Sequence, residues 1–169
     1  MPSLQSLALE LSEPKNAPVP SSGVIWPKGL SATLPWPNLE TLRISHPDPA
    51  DDIYANLPSS LRALSLRLWP HECIQIFDEN QPYQPPSWYE SRKHRRWDCP
   101  LLTPDNLALV LQKCDSSLLS TLELEYGVDA HEPELLRTLA VKFPHLTTLE
   151  IHRFWSRGGY RIEVRIAHV

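Results

Sequence analysis

A six-residue leucine pattern, Leu-x-x-Leu-x-(Leu/Ile), occurs five times in this chain of 169 residues and constrains its fold more than any other feature. Similar segments that recur at intervals of tens of residues are typical of repeat proteins, in which a unit buries its apolar side chains only by stacking on its neighbours. The five copies are Leu4, Leu7 and Leu9; Leu39, Leu42 and Ile44; Leu61, Leu64 and Leu66; Leu119, Leu122 and Leu124; and Leu146, Leu149 and Ile151. The sequence therefore predicts stacked units with a shared core.

The spacing of the copies favours a leucine-rich-repeat solenoid, an irregular α/β fold of short parallel strands with helices or loops on the outside. Successive copies begin 35, 22, 58 and 27 residues apart, compared with about 20–29 residues in leucine-rich repeats. We predict parallel strands near residues 4–9, 39–44, 61–66, 119–124 and 146–151. Stacking would form one core row from Leu7, Leu42, Leu64, Leu122 and Leu149, and a second from Leu9, Ile44, Leu66, Leu124 and Ile151.

Helical periodicity precedes the last two copies. Thr103 is a good capping residue and Pro104 fits the first helical position. The apolar residues that follow at helical spacing are Leu107, Val110, Leu111 and Cys114. Pro133 opens a second segment, in which the same offsets are occupied by Leu136, Leu139, Ala140 and Phe143. We predict helices near 104–114 and 133–143, and a short helical turn within DPADDIYANLP, residues 48–58.

The interval of 58 residues contains a polar segment rich in proline and aromatic residues at 78–99. We interpret it as an insertion loop within a single domain of residues 1–169, with a degenerate repeat as the alternative. It includes the whole basic cluster SRKHRRW, residues 91–97. That cluster is either a solvated loop or a patch for an anionic partner.

The end of the chain changes its period. Ile162, Val164 and Ile166 alternate with charged residues, and Gly158 and Gly159 come just before them as a hairpin signal. A repeat stack needs its last strand covered. We therefore predict that residues 160–166 pair antiparallel with the strand at 149–155.

Composition argues against several classes of function. The net charge of −4 and the lack of an apolar run of about 18 residues give no support for nucleic-acid or membrane binding. Three cysteines, and an N-terminus without a basic signal region, indicate an intracellular protein, cytoplasmic or nuclear. No nucleophile elbow, phosphate loop or paired metal-ligand spacing is present, so we expect no enzymatic activity, cofactor or metal. The residues whose side chains could bind a metal, but which lack such a spacing, are His71, Cys73, His94, Cys99 and Cys114.

The remaining candidate site is the strand face opposite the leucines. Because side chains alternate along a strand, the residues between the leucines should line the open, concave side of the solenoid. Its charged or titratable members, which we expect to share one solvent-exposed surface, are Arg43, Arg67, Glu123, Glu125, Glu150 and His152. This surface would be basic in the middle and acidic towards the C-terminus, which suits a charge-patterned protein partner.

Three segments make the chain resemble the leucine-rich-repeat region of F-box proteins, in particular the irregular fungal type: LPSSLRALSLRLWP, RRWDCPLLTPDNLALVLQKC and FPHLTTLEIHRF. The resemblance covers nearly the whole chain and implies that the repeats hold a target protein. The F-box that joins such proteins to a ubiquitin-ligase scaffold is expected to be missing, because the first repeat follows Met1 directly. The asparagine that follows each strand in the repeat consensus is also absent.

Two functional hypotheses follow. The favoured one is a protein-interaction module, with the substrate-recognition region of an F-box-type ubiquitin-ligase adaptor as the role that the resemblance implies. The alternative is a truncated structural fragment that has no independent activity.

Overall fold

The computed structural model describes residues 3–9, 13–14, 24–30, 34–67, 97–98, 101–115, 118–154 and 161–167. Its strands are β1 (Ser6–Leu9), β2 (Glu13–Pro14), β3 (Thr41–Ile44), β4 (Ala63–Leu66), β5 (Trp97–Asp98), β6 (Thr121–Gly127), β7 (Thr148–Phe154) and β8 (Arg161–Ala167). Its helices are α1 (Pro104–Lys113), α2 (Glu132–Lys142) and a 3₁₀ helix at Ile53–Asn56.

The main sheet has six strands in the order β1-β3-β4-β6-β7-β8. Each neighbouring pair among the first five strands is parallel, which confirms the predicted parallel strands. The last strand, β8, is antiparallel to β7 over its whole length, and this confirms the predicted C-terminal pairing. A separate two-stranded sheet joins β2 to β5. The protein is therefore an α/β protein built on a five-stranded parallel sheet.

The first predicted leucine row is present in register at every step, and the second at the pairs Leu9–Ile44, Leu66–Leu124 and Leu124–Ile151. Leu7 pairs with Leu42, Leu42 with Leu64, Leu64 with Leu122, and Leu122 with Leu149. The middle members of the row are almost completely buried in the core, whereas Leu7 and Leu149 at its two ends are partly buried. Full burial of a leucine side chain contributes about 1.5–3 kcal/mol relative to exposure, so the buried members of the rows stabilise the sheet.

The turns that lead into the strands also repeat. The N–H groups of Leu39, Leu61 and Leu146 each donate to the carbonyl oxygen three residues earlier. At the start of four strands, two successive N–H groups donate to one carbonyl of the preceding unit. The carbonyl acceptors are Gln5 for β3, Glu40 for β4, Arg62 for β6 and Ser120 for β7. Four consecutive junctions thus share this pair of hydrogen bonds, and the junctions before β3, β4 and β7 share the turn as well.

Helix α1 matches its prediction. Thr103 Oγ1 accepts a hydrogen bond from the Asn106 N–H at 3.3 Å, and Pro104 is the first helical residue. Every member of its predicted apolar stripe is buried. The helix therefore covers the leucine face of the sheet, as its 3.6-residue periodicity requires.

Helix α2 is present, but its predicted stripe was wrong at two positions. Leu136 is 42% exposed and Ala140 is exposed, whereas Leu135 and Leu139 are buried. Glu132, three residues before Leu135, binds side chains of β6 and β7 and so lies on the same side of the helix. Those bonds fix the rotation of α2 about its axis, and they turn Leu135 rather than Leu136 towards the core.

The predicted helical turn in residues 48–58 is the 3₁₀ helix. Asp51, just before it, is 1% exposed, and its carboxylate accepts hydrogen bonds from the N–H groups of Ile25, Trp26 and Ile53 at 2.6–2.9 Å. These bonds attach the segment at 24–30 to the connection between β3 and β4. The role of Asp51 is therefore structural.

Several sequence features lie outside the described residues. The insertion predicted at 78–99 and the basic cluster are described only at β5, and His71, Cys73, His94 and Cys99 are likewise outside. Cys114 is buried in the core, where burial raises the pKa of its thiol to about 12. None of the helices in the described ranges is both long and apolar enough to cross a membrane.

Candidate functional site

The face of the sheet opposite the leucines, which we call the open face, carries a row of dissimilar side chains. Ala8, Arg43, Ser65, Glu123 and Glu150 are successive register partners across β1, β3, β4, β6 and β7. Neighbouring strands lie about 4.8 Å apart, so charged groups on adjacent strands come within direct reach of one another. The predicted site residues on these strands therefore occupy one face.

Exposure differs among the six predicted site residues. Arg43 is exposed, and the side chains of Arg67, Glu123 and Glu150 are 22%, 16% and 19% exposed. Glu125 and the His152 side chain are only 2% and 1% exposed. The expectation that all six share a solvent-exposed surface was therefore wrong for Glu125 and His152.

Pairing explains why these two ionisable residues tolerate burial. Glu125 and His152 are register partners on β6 and β7, and neither residue is without an interaction partner. His152 Nε2 lies 3.3 Å from a carboxylate oxygen of Glu123 and 3.3 Å from one of Glu150. Polar partners of this kind offset the loss of water that makes burial of an isolated polar group costly.

Glu123 is the centre of this polar cluster. Its Oε2 accepts a hydrogen bond from Ser65 Oγ at 2.6 Å, and its Oε1 accepts one from Arg67 Nη1 at 2.8 Å. Burial by itself would raise the pKa of Glu123, but hydrogen bonds from His152 and Ser65, together with the charge of and hydrogen bond from Arg67, lower that pKa to about 2. Glu123 is therefore a carboxylate at neutral pH.

A second polar cluster lies on the core side, where β6 and β7 meet the first turn of α2. Tyr126 Oη donates to Glu132 Oε1 at 2.8 Å, and Arg153 Nη2 donates to Glu132 Oε2 at 2.6 Å. Burial is the main cause that raises the pKa of Tyr126. Sequence reasoning missed this cluster. Two features of the sequence could have indicated it. Glu132 lies at the start of the predicted helix, and Tyr126 and Arg153 occupy equivalent positions in the strands before and after that helix.

The two clusters have different chemical uses. Glu132 uses both oxygens to hold α2 against the sheet, which is a structural task. Glu123, Glu150 and His152 instead bring three potential ligand atoms within 4.8 Å of one another on the partly exposed open face. Among the described residues, this is the group whose geometry suits a metal ion.

Comparison with known proteins gave no match of any kind. No protein-family model, no curated protein and no solved structure matches the chain. The resemblance to leucine-rich-repeat regions of F-box proteins therefore rests on the sequence motifs alone.

Proposed function

We propose that this chain is a leucine-rich-repeat interaction module whose open face binds a protein partner. The observation that carries the proposal is the row Arg43, Ser65, Glu123 and Glu150, which presents different polar groups at equivalent positions of adjacent strands. A parallel sheet anchored by buried leucines holds such groups in fixed positions. Preorganised polar groups lose little entropy on binding, which favours a specific complex.

The repeated turns and shared carbonyl acceptors support the solenoid interpretation. Each of β3, β4, β6 and β7 begins with the same pair of hydrogen bonds to the preceding unit. A chain built of such equivalent units forms an extended sheet, and the open face of that sheet is the surface repeat proteins use for binding.

Charge on the open face indicates the chemistry of the partner. Arg43 is exposed on β3, whereas Glu150 is partly exposed on β7, three strands away in the sheet. The partner should place an acidic group opposite Arg43 and a basic group towards β7. Such complementarity mainly sets specificity and the rate of association.

Substitution of Arg43 tests this proposal without disturbing the polar cluster. The full chain is used as bait in a pulldown from a cell extract, with Arg43→Glu and the control Arg137→Glu compared with the wild type. Arg137 is 66% exposed on α2, away from the open face. We expect the Arg43→Glu variant to lose partners that both the wild type and the control retain. The same partners captured by all three proteins would contradict the proposal.

We further propose, on the sequence resemblance, that the bound partner is a substrate of a ubiquitin ligase. The genomic sequence upstream of the first codon tests this role directly. An in-frame F-box would support it. If no F-box is encoded and captured partners lack ubiquitin-ligase subunits, the adaptor role is wrong, while the interaction module itself could still bind a protein.

A further inference from the structure

Three side chains on the open face converge on one small volume. His152 Nε2 is 3.3 Å from Glu123 Oε1 and 3.3 Å from Glu150 Oε1, and one ligand atom from each residue lies within 4.8 Å of the others. The imidazole is 1% exposed, whereas the two carboxylates are 16% and 19% exposed. The cluster is therefore a buried histidine with two carboxylates at its solvent side, rather than a loose group of surface acids.

We propose that Glu123, Glu150 and His152 form a binding site for a divalent transition-metal ion, for which Zn²⁺ is the best fit. Zinc is bound by histidine nitrogen and carboxylate oxygen at about 2.0–2.2 Å, and tetrahedral sites with three protein ligands leave the fourth position to water or another group. In a tetrahedron with such bonds, adjacent ligand atoms are roughly 3.3–3.6 Å apart. Both distances from His152 Nε2 match this separation.

The backbone places the three ligands without help from distant segments. Glu123 and Glu150 are register partners on β6 and β7, and His152 follows Glu150 by two residues on the same strand. Alternation along a strand brings Glu150 and His152 to one face. Ligands on paired strands are positioned more rigidly than ligands on loops, which favours a preformed site.

Neighbouring groups orient Glu123 as the outer shell of a metal site does. Ser65 Oγ donates a hydrogen bond to Glu123 Oε2, and Arg67 Nη1 donates one to Glu123 Oε1. A carboxylate oxygen has two acceptor positions, so Oε1 can accept the arginine and still face an ion. Hydrogen bonds to liganding carboxylates are a regular feature of metal sites and fix the ligand orientation.

The types of ligand also suit a divalent ion. Two carboxylates supply negative charge, part of which Arg67 already offsets through its hydrogen bond to Glu123 Oε1, and the imidazole supplies a nitrogen ligand.

Calorimetric titration of the full chain with zinc chloride, after treatment with a chelator, tests the site. The wild type should bind Zn²⁺ at a site that Glu150→Gln weakens by at least ~10-fold, since loss of a liganding carboxylate should exceed the effect of losing an outer-shell group. His152→Asn should abolish binding. The matched controls are Glu134→Gln on the outside of α2, where the glutamate is 62% exposed, and His145→Asn at an exposed turn. Both controls should bind as the wild type does.

A thermal unfolding measurement with and without Zn²⁺ provides the second readout. An ion that binds only the folded state raises the Tm, so the Tm of the wild type and of the controls should rise with Zn²⁺, and the Tm of the Glu150→Gln variant should rise less at the same zinc concentration. If His152→Asn fails to fold, Glu150→Gln decides, because its carboxylate is at the solvent edge. No saturable zinc binding by the wild type, or equal zinc affinity in Glu150→Gln, would overturn the proposal. Neither result depends on whether a protein partner binds the open face.

Discussion

The two faces of the main sheet repeat in different ways. On the core face, equivalent positions of successive strands carry leucine or isoleucine, so Leu42, Leu64 and Leu122 are interchangeable in chemistry as well as in place. On the open face, the matching positions carry Arg43, Ser65 and Glu123. The repeated leucines of the core face thus determine the fold. The open face can form a binding site because its residues differ from strand to strand.

The largest expected effect comes from a truncation on the core face. Leu122→Ala should lower the free energy of unfolding by about 2–5 kcal/mol, because Leu122 is 0% exposed and its loss leaves a cavity. Leu149→Ala should cost less than Leu122→Ala, because Leu149 is only partly buried. Urea unfolding measures both changes.

A matched control separates burial from the chemical change itself. Leu109 is 50% exposed on α1, so Leu109→Ala should change the free energy of unfolding by no more than about 0.5 kcal/mol. Equal losses for Leu122→Ala and Leu109→Ala would show that the leucine row is not the core.

Deletion of residues 158–169 should have the next largest effect. It removes β8, which pairs with β7 over seven residue pairs, and leaves the edge of β7 unpaired. Several backbone hydrogen bonds of about 0.5–1.5 kcal/mol each would be lost, so we expect at least ~2 kcal/mol of destabilisation and a tendency to associate. Thermal unfolding and size-exclusion chromatography check this. An unchanged monomer with an unchanged Tm would contradict the pairing of β7 with β8.

Substitution at the centre of the polar cluster should have a smaller, pH-dependent effect. Glu123→Gln removes the charge that strengthens hydrogen bonds from Ser65 and Arg67, which should cost about 1–2 kcal/mol at neutral pH. The folded-state pKa of Glu123 is lowered from an ordinary value of 4.5 to about 2. The unfolded chain therefore binds this proton first, and the stabilisation falls as the pH decreases from 4.5 towards 2.

Urea unfolding of the wild type and the Glu123→Gln variant at several pH values gives the measurement. The difference between the two proteins should be largest near neutral pH and should shrink through that acidic range. A difference that does not depend on pH would show that the Glu123 charge is not held by its neighbours.

The smallest effect is expected at the exposed edge of the open face. Arg43→Glu should change the free energy of unfolding by no more than about 0.5 kcal/mol, because Arg43 is exposed and surface substitutions of this kind are nearly neutral. This value matters for the binding test, since a loss of partners by Arg43→Glu is informative only if the variant remains folded. A large loss of stability would mean that Arg43 also contributes to the fold.

Most of the fold was predictable because the leucine pattern is periodic, and the spacing of apolar residues along a strand or helix indicates which side of it is buried. The strands, their parallel register, helix α1 and the pairing of β8 all derive from spacing that a single sequence displays. The stripe of α2 was not predictable, because Leu135 and Leu136 are both apolar and the sequence alone does not say which faces the core. The bonds of Glu132 to Tyr126 and Arg153, made across the fold, decide it.

The candidate site was predictable only in part. Alternation along the strands places Glu123, Glu150 and His152 on one face, and the structure agrees. The approach of His152 to Glu123 depends on the pairing of β7 with β6 one repeat earlier in the chain, which no local motif records. The expectation of exposed charge is wrong for Glu125 and His152, because alternation along a strand predicts the face on which a side chain lies but not how far it is buried.

The register of the strands, which decides the residues that lie on each face of the sheet, is tested most directly by contacts between methyl groups in the folded chain. Nuclear Overhauser measurements on a leucine- and isoleucine-labelled sample should connect Leu122 to Leu64 on one side and to Leu149 on the other, and should connect Leu124 to Ile151. A shift of one residue in the pairing would move every leucine of a strand to the opposite face. The predicted result is this continuous set of contacts; Leu122 methyls next to Glu150 or His152 instead would contradict the assignment of both faces.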